Sequence, residues 1–252
     1  MFDLKGKTAI VTGGNGGIGL GMARGLAQAG ARVAVAARNQ DKSRGAVDEL
    51  SRLGPEAIAV AMDVADEASV AAAFRAAVDR LGRVDILINN AGINVRKPPQ
   101  DYTLAEWRSV LDTNLTGAFL CSRAAYPLMK AVGGGKIINI GSMMSIFGAS
   151  FAMAYAASKG GIVQLTKALA TAWARDNIQV NAVLPGWIDT ELTQNARVQV
   201  QGLHDSVLRR TPAGRWGGID DMSGAAVFLA SSASDFVTGV ALPVDGGFAI
   251  QG

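Results

Sequence analysis

The sequence predicts an α/β fold: a doubly wound parallel sheet of about seven strands flanked by helices. Three observations carry this. Short runs rich in Val and Ile alternate with helical stretches along the chain, the pattern that parallel crossovers produce. The runs are apolar at successive positions, as strands covered on both faces require. A glycine-rich segment, "TGGNGGIG" (12–19), follows the first run directly and opens a helical stretch. That context makes the fold a Rossmann arrangement.

The predicted strands are "KTAIVT" (7–12), "RVAVAA" (32–37), "EAIAVA" (56–61), "VDILIN" (84–89), "KIINIG" (136–141), "IQVNAV" (178–183) and "VALPVD" (240–245). Between them, "TLAE" (103–106) reads as a capping box ahead of "WRSVLDTNLTGAFLCSRAAYPLM", and Asp66 reads as the cap of "EASVAAAFRAAVDRLG". No linker or repeat divides the 252 residues, so one domain, 1–252, is expected. The polar stretch 186–218 lies between two strand signals and is long for a connection. It is expected to hold short helices that form a substrate lid.

Composition excludes several classes of chemistry. Hydrophobic residues make up 49% of the chain and charged residues 18%, which sets intrinsic disorder aside. The net charge of +3 is dispersed rather than blocked, so neither a nucleic acid nor a membrane surface is an expected partner. The opening "MFDLKGKTAIVTGG" has no basic region followed by a long apolar run, which favours the cytoplasm. There is one Cys (Cys121) and one His (His204), too few for a disulfide framework, a Cys/His zinc site or a Cys/His nucleophilic pair. No metal is expected. Cys121 reads as a core thiol and His204 as a surface group.

The glycine segment can be read as GxGxxG from Gly14, or as TGxxxGxG from Thr12 with Gly13, Gly17 and Gly19; Asn15 and Ile18 fall within it. Glycines at these places let the backbone turn and approach a pyrophosphate at a helix N-terminus. The second strand ends in Arg38 and Asn39, with no carboxylate to take the ribose hydroxyls. An Arg there accommodates a 2′-phosphate, so NADP(H) is favoured, with NAD(H) as the alternative.

Tyr155 and Lys159 in "AYAASKGG" (154–161) lie one helical turn apart and share a face. A free phenol titrates near ~10, and a neighbouring ammonium stabilises the phenolate. Such a pair can exchange a proton with an alcohol or carbonyl. Ser142 ends "INIGS", at the carboxyl end of a strand, where open α/β sheets bind ligands.

With "NNAG" (89–92), "TNLTG" (113–117), "PGWIDT" (185–190) and "VDGG" (244–247), these motifs resemble the compact short-chain dehydrogenase/reductase family over essentially the whole chain. The resemblance implies a tetrad of Asn114, Ser142, Tyr155 and Lys159. Tyr155 would be the acid/base. Lys159 would lower its pKa and hold the nicotinamide ribose, Ser142 would polarise the substrate oxygen, and Asn114 would hold a water that links Lys159 to solvent. The resemblance also implies adenine contacts from Asp63 and Val64, a cofactor wall of Asn90, Ala91 and Gly92, and a nicotinamide loop with Pro185, Gly186, Ile188 and Thr190. Gly16 stands where many NADPH-using relatives carry a basic residue.

Within the family, "GMARGLAQAG", "NNAGINVRKP", "GGKIINIGSMMS", "PAGRWG" and "FLASSASDFVTG" resemble bacterial sugar and sugar-acid dehydrogenases. The expected activity is therefore the interconversion of a secondary alcohol and a ketone on a sugar or sugar acid. The alternatives are a 3-oxoacyl-carrier-protein reductase, a broad carbonyl reductase and a cofactor-binding sensor without turnover. Arg96, Met144 and Trp187 are the expected substrate contacts; Arg96 reads either as the partner of a sugar-acid carboxylate or as a rim charge, and Trp187 either as site wall or as packing. Compact members are commonly tetramers, so a homotetramer is expected.

Overall fold

In a computed structural model, described for residues 1–251, seven strands form one parallel sheet. The chain runs β1 (Thr8–Thr12), α1 (Gly17–Gln28), β2 (Arg32–Ala37), α2 (Gln40–Leu53), β3 (Ala57–Ala61), α3 (Glu67–Leu81) and β4 (Ile86–Asn89). It continues through α4 (Leu104–Leu111), α5 (Gly117–Ala131), β5 (Gly135–Ile140), α6 (Met153–Trp173), β6 (Ile178–Pro185), α7 (Glu191–Gln199), α8 (Leu203–Arg210), α9 (Ser223–Ala230) and β7 (Ala241–Val244). The spatial order is β3-β2-β1-β4-β5-β6-β7.

Alternation along each strand sends side chains to two separate cores. Ala9, Val11, Val33, Val35, Ile86 and Ile88 pack on one face with Met22 and Leu26 of α1 and Leu229 of α9. Ile10, Ala34, Leu87, Ile137 and Val180 pack on the other with Phe74 of α3 and Cys121 and Met129 of α5. Cys121 is fully buried, and burial pushes its thiol up to about 12. His204 is exposed and stacks on the Trp216 ring.

Both expected helix caps form. The Thr103 Oγ1 accepts from the Glu106 N–H while the Glu106 carboxylate accepts from the Thr103 N–H. Asp66 accepts from the N–H groups of Ala68 and Ser69 at 2.8 and 3.2 Å. The run after the capping box is not one uniform helix: a π-helical turn, Asp112–Thr116, separates α4 from α5. Segment 186–218 contains α7 and α8, and its two ends are tied by a parallel bridge between Ile188 and Gly217. Among the described residues no helix is long and apolar enough to cross a membrane.

Candidate active site

The strand order reverses between β1 and β4, and a cleft of about 570 Å³ opens outside the carboxyl ends of the central strands. β1 ends at Thr12, whose buried Oγ1 accepts the N–H groups of Asn90 and Ala91, each at 2.9 Å. Asn90 Nδ2 donates back to the carbonyls of Thr12 and Gly13 at 3.0 and 3.2 Å. The glycine loop and the "NNAG" loop are thereby clamped together. Gly13 and Gly17 adopt φ of +63° and +53°, a region side chains disfavour. A Cβ on Gly19 would stand 2.4 Å from Asn90 Nδ2 and 2.5 Å from the Gly13 carbonyl oxygen.

Helix α1 starts with no side-chain cap and no acidic residue in its first turn. Its first residues, Gly17 and Ile18, line the cleft at the positive end of the helix dipole, with no capping side chain from the helix's own start to compete for an anion. A pyrophosphate suits this cradle, so the residues present fit a dinucleotide. Asn15, Gly17 and Ile18 line the cleft, and Asn15 Nδ2 braces the loop by donating to the Asn39 carbonyl and Ser43 Oγ at 3.2 Å each. Gly19 lies behind the loop.

At the other end of the loop, Arg38 is 71% exposed and lies 3.9 Å from the Asp63 carboxylate. Asn39 caps α2, its Oδ1 accepting the Lys42 N–H at 3.0 Å. Val64 is buried against Gly117, where a Cβ would stand 2.8 Å from it. On the facing wall, Ala91, Gly92, Pro185, Gly186, Ile188 and Thr190 line the same cleft as the glycine loop. Thr190 also caps α7 through the Thr193 N–H.

The reactive side chains lie where β5 meets α6. Ser142 follows the strand, and its Oγ accepts the Met144 N–H at 3.1 Å. Tyr155 and Lys159 share a face of α6, with the ammonium 5.5 Å from the phenol ring centre. Lys159 is 4% exposed and donates to the Ile140 carbonyl at 2.6 Å. Burial lowers its pKa from 10.5 to about 8. Burial raises the Tyr155 phenol above its ordinary value, and the Ser142 hydroxyl and then the Arg96 guanidinium pull it back. Asn114, in the π-helical turn, is buried behind them. Its Oδ1 accepts the Ile93 N–H at 2.8 Å, and its Nδ2 donates to the Ile93 carbonyl and Ser158 Oγ at 3.0 Å each.

The remaining wall is mixed. Arg96 is partly buried, which lowers its pKa. It forms no ion pair among the described residues; its guanidinium donates to Gln199 Oε1 and the Leu192 carbonyl of α7 at 3.2 and 3.1 Å. Asn94 Oδ1 is buried in this wall without a hydrogen-bond partner. Met144 and Trp187 face the cleft, and Trp187 meets Trp216 edge to face at 5.6 Å. Met143 also borders the cleft but is buried in a core cluster with Ala182, Leu184 and Phe248.

A family model described as Enoyl-(Acyl carrier protein) reductase matches residues 13–249. The 2-dehydro-3-deoxy-D-gluconate 5-dehydrogenase of Formosa agariphila is 44% identical over 98% of this chain and 94% of its own. The gluconate 5-dehydrogenase of Gluconobacter oxydans is 40% identical over 100% of this chain and 98% of its own. The crystal structure of a gluconate 5-dehydrogenase from Burkholderia cenocepacia J2315, in complex with NADP and tartrate, superposes with a TM-score of 0.94 at 43% identity. That likeness covers 100% of this chain and 98% of the neighbour.

The chain belongs to the short-chain dehydrogenase/reductase family. It is an oxidoreductase.

Within this short-chain dehydrogenase/reductase, the expected residues fall into two groups. Ser142, Tyr155, Lys159, Arg38, Arg96, Met144 and Trp187 line one cleft with the glycine loop. Thr12, Gly19, Asn39, Asp63, Val64 and Asn114 do not line it; Thr12, Gly19 and Asn114 sit behind its wall and hold it in shape. Sequence reasoning passed over Lys42, Asn94 and Glu191, which also line the cleft. Lys42 had a signal, since it lies four positions after Arg38 and in the first turn of the next helix. Glu191 had none, because nothing local places α7 over the glycine loop.

Proposed function

We propose that this short-chain dehydrogenase interconverts a secondary hydroxyl and a ketone on a sugar acid, with NADP(H) as its cofactor. The observation that carries the substrate class is Arg96, a guanidinium with no carboxylate partner among the described residues, in the same cleft as Tyr155. Such a group suits a substrate carboxylate, which it can bind through two parallel hydrogen bonds. Asn94 Oδ1, buried and unpaired, suits a substrate hydroxyl. The named relatives, which act on gluconates, and the neighbour that holds NADP and tartrate support the same class. Arg38, exposed just past β2, a strand whose own end carries no carboxylate, supports the phosphorylated cofactor; the Asp63 carboxylate beyond β3 stands 3.9 Å from it.

In this reading Tyr155 is the acid/base. A nicotinamide held by the glycine loop, Lys159 and the loop from Pro185 to Thr190 would supply the hydride in reduction and take it up in oxidation. Tyr155 Oη gives a proton to the substrate oxygen in reduction and takes one in oxidation. The Ser142 hydroxyl donates to the same oxygen as charge develops there, a contribution on the order of 3 kcal/mol for one fixed donor. Lys159 supplies the positive charge that favours the phenolate and holds the ribose. Asn114 is a positioning residue: its amide fixes Ile93 against Ser158, and its turn would hold the water that links Lys159 to solvent. Burial keeps Tyr155 protonated at neutral pH, which suits it to donate in the reductive direction.

Segment 186–218 is assigned the role of lid, supported by the ties from Arg96 to α7. The whole chain is read as one catalytic domain. A cytoplasmic homotetramer is the reading carried over from the sequence, and the exposed apolar side chains of Phe236, Val240 and Ile250 support assembly. An initial-rate panel of sugar acids, neutral sugars, cyclic alcohols and oxoacyl thioesters with both cofactors tests the proposal. Sugar acids with NADP(H) are expected to give the highest kcat/KM. A higher value for oxoacyl thioesters would overturn the substrate class, and a higher value with NAD(H) the cofactor.

A further inference from the structure

The adenosine end of the cleft carries a second cation. Lys42 lies in the first turn of α2, four residues beyond Arg38, and both line the cleft. Its ammonium stands over the glycine loop: a Cβ built on Gly16 would be 3.1 Å from Lys42 Nζ and 3.0 Å from Cε. A side chain at position 16 would displace it, so the bare glycine leaves that place to Lys42. From there the ammonium reaches across to α7 and pairs with Glu191 Oε2 at 2.9 Å.

Neither helix stability nor the ion pair accounts for this placement. A cation in the first turn of a helix opposes the dipole. The pair with Glu191 is solvent-exposed, 49% on the lysine side and 80% on the glutamate side, and such pairs contribute little. A phosphate group between Arg38 and Lys42 would change both terms. It brings close to two negative charges and three acceptor oxygens, against one charge on Glu191, and it lies at the positive end of α2.

We propose that Lys42 is a specificity-determining residue that binds the 2′-phosphate of NADP(H) together with Arg38, and that Glu191 is the carboxylate this phosphate displaces. The inference rests on the NADP(H) reading above. Because Glu191 is the first residue of α7, one past Thr190, the exchange links the adenosine end of the cleft to the segment that also binds Arg96. A lysine that reached the pyrophosphate instead would serve both dinucleotides alike, and this sets the test.

The test is equilibrium titration of the purified protein with NADPH and NADH, followed by cofactor fluorescence. Competition by adenosine 2′,5′-bisphosphate and by 5′-AMP probes the adenosine end alone. Lys42→Gln is expected to raise the Kd for NADPH and for the bisphosphate about tenfold, and to change those for NADH and 5′-AMP by less than about twofold. Lys42→Arg should restore most of the NADPH affinity. Glu191→Gln should lower the Kd for NADPH about threefold and leave NADH unchanged, since it removes the competing charge. Equal weakening of both dinucleotides in Lys42→Gln would overturn the proposal, as would no weakening of either. A wild-type protein that binds NADH as tightly as NADPH would overturn both this inference and the cofactor reading. A wild-type preference for NADPH that survives Lys42→Gln would overturn this inference alone.

Discussion

Lys159 and Tyr155 share one face of α6, and the ammonium lies 5.5 Å from the centre of the phenol ring while it donates to the Ile140 carbonyl. The sheet therefore fixes the lysine, and the lysine in turn faces the phenol. Burial acts on the two in opposite senses, raising the phenol and lowering the ammonium, so it disfavours the charged form of each.

Removal of the phenolic oxygen alone should leave this arrangement standing. Tyr155→Phe is expected to lower kcat about a thousandfold, within the range of a lost general acid. Its Kd for NADPH should stay close to that of the wild type, since the glycine cradle and Lys159 are untouched. Single-turnover rates and fluorescence titration of the same preparation check both halves. A variant with unchanged turnover would remove Tyr155 from the proton-transfer role.

Lys159 carries a stability prediction whose sign follows from its depressed pKa. In the unfolded chain the amine titrates near its usual 10.5, and in the folded protein near about 8. Below pH 8 both states are charged and the folded state bears the desolvation penalty, about 3 kcal/mol for this shift. Between pH 8 and 10.5 the penalty fades. Lys159→Met removes it but leaves the Ile140 carbonyl without its donor, a loss of about 1 to 3 kcal/mol. The variant is expected to melt higher than wild type at pH 7 and lower at pH 10, while turnover is lost at both. Thermal melts across that range check the crossover; a constant difference would contradict the buried-ammonium argument.

The sheet was legible because its central strands are buried on both faces, so that Val, Ile and Ala dominate them even where β5 and β6 carry buried Asn139 and Asn181; only their ends move, as in β6, which extends to Pro185 through pairing with Val244. The proton-transfer pair was legible because helical spacing is local. The π-helical turn was not; its Asn114 accepts the N–H of Ile93, 21 residues away, a contact that local spacing does not reveal. The Lys42–Glu191 pair spans 149 residues, and whether α7 lies over the glycine loop depends on packing of the whole 186–218 segment. Residue type announced the chemistry; tertiary contact decided which residues share it.

Two glycines separate close packing from chain flexibility. A methyl group on Gly19 would meet Asn90 Nδ2 and the Gly13 carbonyl within 2.5 Å, so Gly19→Ala must pry the two clamped loops apart. A loss of about 3 kcal/mol and weaker binding of both dinucleotides are expected. Gly45, exposed within α2, has nothing within 4 Å of its added Cβ. Gly45→Ala should gain up to about 1 kcal/mol from helix propensity and leave binding unchanged. Urea melts and dinucleotide titrations of both variants check this; equal effects would mean that the clamp is not rigid.

Arg96 tests the substrate class directly. Its guanidinium is held by neutral partners, Gln199 Oε1 and the Leu192 carbonyl, so its charge is uncompensated where the cleft meets α7. Arg96→Ala should raise KM for a sugar acid about tenfold or more, the cost of a lost charge-assisted pair, and change KM for the matching neutral sugar by less than about twofold. Arg96→Lys should recover part of the loss, because a lysine keeps the charge but not the two-pronged geometry. The same substitution also removes the ties to α7, and a lid effect alone would raise KM for acid and neutral substrates together. The ratio of the two KM changes, measured at saturating cofactor, separates a carboxylate contact from a lid contact, and a ratio near one would withdraw the sugar-acid assignment from Arg96.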